Sequence, residues 1–145
     1  MGMVDRKDFL MRVIQQFGVL LSSLLGLRKA GKKEEALEKL ATAGDDLIGV
    51  PRMVLDSLDS ANAARMLAEP YKIRMYARLL REEAEILAEL GRESSFPRER
   101  SAELVIEATR LKGGVKAEDK LELLALGEVE LSERYAAEAA AIMKT

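Results

Sequence analysis

The sequence predicts an all-α protein built from antiparallel amphipathic helical hairpins, about six to seven helices in all. Two observations carry that expectation. Apolar residues recur at spacings of three and four through most of the 145 residues, and glycine or proline stands where each recurrence stops. A third concerns the links, which are too short to bring consecutive helices back in any direction but antiparallel. With 48% hydrophobic and 33% charged residues the chain has the composition of one ordinary globular domain, taken as 1–145.

The first helix is expected over 5–30. Phe9, Leu10, Val13, Ile14, Phe17, Leu20, Leu21, Leu24 and Leu25 fall on one broad face, and Gly31 supplies a left-handed C-cap. The second, 33–48, has Glu34 and Glu35 in its first turn and turns Leu37, Leu40, Leu47 and Ile48 inward, with Gly49 closing it. Pro51 starts a short helix over 51–58, and Asp59 or Ser60 caps another over 60–68. Pro70 opens a long helix, 70–90, with Ile73, Tyr76, Leu80, Ala84 and Leu87 inward and Gly91 at its end. Pro97 restarts the chain into 98–112, Gly113-Gly114 breaks it, and a last helix spans 117–143, bent near Gly127.

The chain has no histidine, cysteine or tryptophan. Disulfides, thiolate nucleophiles and zinc-thiolate sites are thereby removed, and no Gly-x-Ser-x-Gly elbow or phosphate-binding glycine loop is present. Lysine and serine remain as nucleophiles only where a base activates them. The expectation is a non-enzyme with no catalytic residue, cofactor or metal. A reducing cytoplasm is compatible with this composition, and the apolar stretch after Lys7 carries Arg12, Gln15 and Gln16, unlike a signal peptide. The longest near-apolar run, 17–27, falls short of the roughly 20 residues of a membrane span.

Net charge is −2, which argues against nucleic acid, but its distribution is uneven. Residues 1–33 hold seven basic side chains against Asp5 and Asp8, whereas from Ala117 onward seven acidic residues face Lys120, Arg134 and Lys144. The head is basic and the tail acidic.

Segments 19–47 and 78–111 share a layout of long helix, glycine, polar link and second helix. The join KAGKKEEAL at 29–37 resembles the turn of a tetratricopeptide repeat, in which an alanine lets paired helices pack closely; the second copy at Gly91 has a longer link. The opening DFLMRVIQQFG at 8–18, with 24–27 and 34–40 after it, resembles a bacterial family of helical proteins known as a domain of unknown function. Residues 51–58 and 79–91 follow the same layout. The resemblance implies a tetratricopeptide-like, right-handed array and transfers no catalytic residue.

Glu82, Glu83, Glu85 and Glu89 could bind a divalent metal, yet the histidines of a Glu-x-x-His pair are absent, and i, i+4 pairs with Arg78 and Arg81 describe a solvated face. Arg74, Arg78 and Arg81 lie along one side of the same helix and could receive a phosphate or an acidic peptide; among so many glutamates they read first as an ordinary exposed face. Tyr71 and Tyr76 are too few for nucleic-acid stacking. In the first helix Met11, Val19 and Leu27 widen the apolar arc past what one neighbour covers, and Arg12 stands beside them. Three covers fit: the second and fifth helices sandwiching it as the core helix, a protein partner or second copy forming a homodimer, or anionic lipid drawn by Arg6, Lys7, Arg12, Arg28 and Lys29. The leading expectation is a protein-interaction module that self-associates through this helix, the alternative a peripheral membrane protein.

Overall fold

In the computed structural model, which describes residues 3–145 and side chains from Arg6 onward, the described residues form eight α-helices and no strand. They are α1 (Met3–Lys29), α2 (Lys33–Ile48), α3 (Arg52–Asp56), α4 (Ser60–Leu67), α5 (Pro70–Glu89), α6 (Ser95–Thr109), α7 (Ala117–Leu126) and α8 (Glu133–Met143). The centre is the α5–α6 pair, with α2 laid on α5, α4 and α7 on α6, and α1 paired chiefly with α2.

Small residues explain why α5 and α6 come together. Ala77 and Ala84 of α5 and Ala102 and Ala108 of α6 are buried between larger aliphatic side chains, and the Ser101 hydroxyl donates to the Ala77 carbonyl at 2.7 Å. Around them Leu24, Leu55, Ile73, Leu80, Ile86 and Leu104 are almost wholly removed from water. Each such side chain contributes about 1.5–3 kcal/mol by leaving water.

The two glycine turns form as the sequence predicts. Gly31 (φ +77°) and Gly91 (φ +71°) are left-handed, and in both the next amide reaches back to close the helix, Lys32 N to Leu27 O and Arg92 N to Leu87 O, each at 2.8 Å. Pro70 is the first residue of α5, and of the two candidate caps for α4 it is Asp59 that accepts the Asn62 amide, at 2.8 Å.

Three boundaries differ from the sequence reading. α6 begins at Ser95, ahead of Pro97, because the Glu93 carboxylate accepts the Ser94 and Ser95 amides at 3.0 and 2.8 Å and a proline is tolerated in a first turn. It ends at Thr109, short of 112. The expected single helix over 117–143 is two helices, so the described residues make eight where six to seven were expected. Gly127 (φ +72°, ψ −148°) holds a conformation open to glycine alone, and the Arg98 guanidinium fixes the break by donating to the Leu126 and Glu128 carbonyls at 2.5 and 3.0 Å.

Candidate interaction surface

The first helix is not the core helix that a sandwich between its neighbours would make it. Of its described residues only Val13, Leu20 and Leu24 are buried, while Leu10, Phe17, Leu21 and Leu27 are half-buried. Leu27, expected in the excess arc, packs against the core; Ile14 and Leu25, expected inside, are exposed at 61% and 48%. Met11 and Val19 are exposed as the excess arc requires, and Arg12 is exposed with them.

At about 100° per residue, Met11, Ile14, Gly18 and Leu25 fall on one line along α1, which Lys7 and Lys29 continue at either end. Nothing lies within 4 Å of a Cβ placed at Gly18, whereas one at Gly44 in α2 would meet the Leu79 Cδ1 at 3.1 Å. The glycine of α2 is accounted for by its own chain, and that of α1 is not. The uninterrupted apolar run is short, but the segment Arg6–Lys29 averages a hydropathy of 1.5 over an 18-residue window that is only 17% buried. By length and composition alone it is sufficient to cross a membrane, which corrects the expectation drawn from the run 17–27.

The arginines of α5 are tied into ion pairs where the sequence placed a solvated face, Arg74 and Arg81 largely covered and Arg78 at the rim of a cleft. Arg74 grips Asp119 of α7 with two bonds of 2.8 and 3.0 Å and also donates to the Gly114 carbonyl at 3.0 Å; Asp119 is 1% exposed and accepts the Lys116 amide as well. Arg81 donates to Glu122 and Glu85, both at 2.5 Å, and Arg78 to Glu82 at 2.9 Å and Glu122 at 3.3 Å. From α1, Arg28 reaches the buried Glu82 at 3.1 Å and Glu89 at 3.0 Å. Its hydrogen bond lowers the Glu89 pKa; burial is the largest single effect on Arg81 and acts to lower its pKa, but the hydrogen bond to Glu122 and the attraction of Glu122, Glu85 and Glu82 together raise it, so Arg81 stays charged.

Four guanidinium groups thus meet five carboxylates (Glu82, Glu85, Glu89, Asp119 and Glu122). No cation is left over for a phosphate or an acidic peptide, and the i, i+4 pairs expected on α5 are present but serve a network joining α1, α5 and α7. The sequence reading missed Arg28, Asp119 and Glu122. Their only signal was the opposite charge of head and tail, because their partners lie 41 to 61 residues away.

Two clefts of about 400 Å³ or more stand open among the described residues. One, of about 450 Å³, separates α1 from α5 and α7; Ile14, Phe17, Tyr71 and Met75 line its apolar part, and Arg78 and Glu118 its rim. Arg74 and Arg78 line this cleft together with α1, while Arg81 sits farther along in its ion pairs. The other, about 410 Å³, lies between α7 and α8 and is mostly apolar, with Glu128 at its edge. Among the described residues no group of three or more Asp or Glu side chains is placed to hold a metal ion. The chain matches no protein-family model, no curated protein and no solved structure. What the arrangement offers chemically is apolar surface on α1 and in two clefts, with the charges of the α1–α5–α7 network paired and the buried Arg100 held by the Leu55 and Leu58 carbonyls.

Proposed function

We propose that the protein is a non-enzymatic helical interaction module whose uncovered side of α1 docks a partner protein, another copy of the chain included. The observation that carries this reading is the exposure of Met11 (52%), Ile14 (61%), Val19 (71%) and Leu25 (48%), which with Phe9 give α1 more exposed large apolar side chains than any other helix among the described residues, while others such as Met53 and Leu121 stand elsewhere. Soluble proteins leave so much contiguous apolar surface open mainly where something covers it. The absence of histidine and cysteine supports recognition over catalysis.

The finer reading of the scaffold is tetratricopeptide-like, with α1–α2 and α5–α6 as its two hairpins. It rests on the matching glycine turns and on Ala36, the alanine after the first turn, which is fully buried. A photo-crosslinking residue at position 14 or 25 in cells should give discrete protein adducts, with none from the same residue at 125, an exposed site on α7. Equal labelling at all three positions would refute the reading.

A second reading has its own observation. The hydropathy of Arg6–Lys29, with Lys7, Arg12 and Lys29 exposed, suits a helix lying on anionic lipid. Flotation with phosphatidylserine vesicles, abolished by salt, supports it; protein that stays at the bottom of the gradient rules it out.

A further inference from the structure

The cleft between α7 and α8 is the feature that the α1 reading leaves unexplained. Leu124 and Leu126 of α7, Val129 and Leu131 of the link, and Ala139 and Met143 of α8 line it. Leu124 is 62% exposed, and α8 presents alanines where larger side chains would have filled the space. The two helices are about 15 and 17 Å long, shorter than the roughly 21 Å from Met11 to Leu25, so the cleft covers about three turns of the line along α1.

Charge distinguishes the two surfaces. Glu128 lines the cleft, Glu130 and Glu133 follow it, and all three are exposed. None of the three is in an ion pair among the described residues. The nearby cations are engaged, Arg98 with the Leu126 and Glu128 carbonyls, Lys120 with the Thr145 carbonyl and Arg134 with Glu138. On α1 the exposed charges around the apolar line are mainly basic: Lys7, Arg12 and Lys29, against Asp8.

We propose that α1 of one copy docks in the α7–α8 cleft of a second copy, its apolar line of Met11, Ile14 and Leu25 on the cleft floor and its lysines toward Glu128, Glu130 and Glu133. This rests on the reading of α1 as a protein-docking face and names its occupant. Pairing α1 with α1 would set Lys7, Arg12 and Lys29 against their own kind and leave the α7–α8 cleft open. Head-to-tail docking covers both surfaces and opposes unlike charges. Because the two patches differ, the contact is heterologous and each copy keeps one free end, so assembly proceeds past the dimer.

The test uses two full-length variants at exposed positions, Ile14→Glu on α1 and Leu124→Glu in the cleft, with helicity and melting measured first. In sedimentation velocity the wild type should grow with concentration and dissociate as salt is raised. Each variant alone should self-associate at least tenfold more weakly. Mixed, the two should form a one-to-one dimer and nothing larger, since each supplies the surface the other lacks.

If Leu124→Glu alone still dimerises while Ile14→Glu does not, α1 pairs with itself and the proposal is overturned. A wild type that stays monomeric to hundreds of micromolar also overturns it. In that event photo-crosslinks from position 14 to a different protein would leave the α1 docking face standing, so the two readings fail separately.

Discussion

Removing the Arg74 side chain should detach α7 from the central helices. Arg74 is 14% exposed and Asp119 1%, so Arg74→Met leaves a carboxylate in the interior with only the Lys116 amide to stabilise it. Breaking a buried pair from one side costs about 3–5 kcal/mol. The partial exposure of Arg74 puts the expected cost near the lower end, about 3 kcal/mol. For a chain of this length that is a fall in melting temperature of about 6–12 °C. Asp119→Leu should cost less, about 2 kcal/mol, because Arg74 retains the Gly114 carbonyl and can turn toward water. With both replaced, no charge is stranded and the loss should be smaller than for Arg74→Met alone. Urea unfolding of the four proteins gives the coupling directly. If the double variant loses the sum of the two single losses, the pair is not coupled and the role given to it here is wrong.

Gly18→Ala should raise stability by about 0.5–1 kcal/mol, since a methyl group there meets nothing and glycine is a poor helix former. Gly44→Ala should give less or reverse sign, because its methyl would stand 3.1 Å from Leu79; thermal melts of the two compare them. Arg28 lowers the Glu89 pKa, so their contribution is present above the ordinary value of 4.5 and lost as the pH falls below it; Glu89→Gln should flatten the acid limb of a melting profile against pH. Burial, then the hydrogen bond to Asp56, raises the Tyr76 pKa above its usual 10.0, so stability is full below pH 10 and declines as the pH rises past it. Tyr76→Phe should remove that part of the alkaline decline, seen in melts carried to high pH.

The helices were legible because their ends are written locally. Gly31, Gly49, Gly91 and Pro70 each act within one turn, and the structure places boundaries at all four. Where the deciding contact comes from elsewhere, local reading fails. The break at Gly127 depends on Arg98, some 30 residues earlier; the start of α6 was missed although its signal is local, the Glu93 carboxylate accepting the next two amides ahead of Pro97. The face of α1 was misread for a related reason. Periodicity identifies an apolar arc but not how much of it the rest of the chain covers, and with twelve large apolar side chains from Phe9 to Leu27 the arc is wider than α2 and the edge of α5 can hide.

The same limit explains why the α5 charges ended inside a network and part of the expected inner face of α1, Ile14 and Leu25, ended exposed. Arg74, Arg78, Arg81 and Glu82 look solvated on a helical wheel because the wheel shows only neighbours on α5. In the structure Asp119, Glu122 and Arg28 arrive from two other helices and close the set. The energetics of the two groups therefore differ in kind. Substituting an arginine of the network strands a carboxylate inside the protein and acts on folding. A charge placed at Ile14 strands nothing, since that side chain already faces water, and acts only on whatever covers it. A chain whose first helix carries more exposed large apolar side chains than any other described helix, and whose last two helices leave an apolar cleft open, has much of its capacity for recognition at those two places.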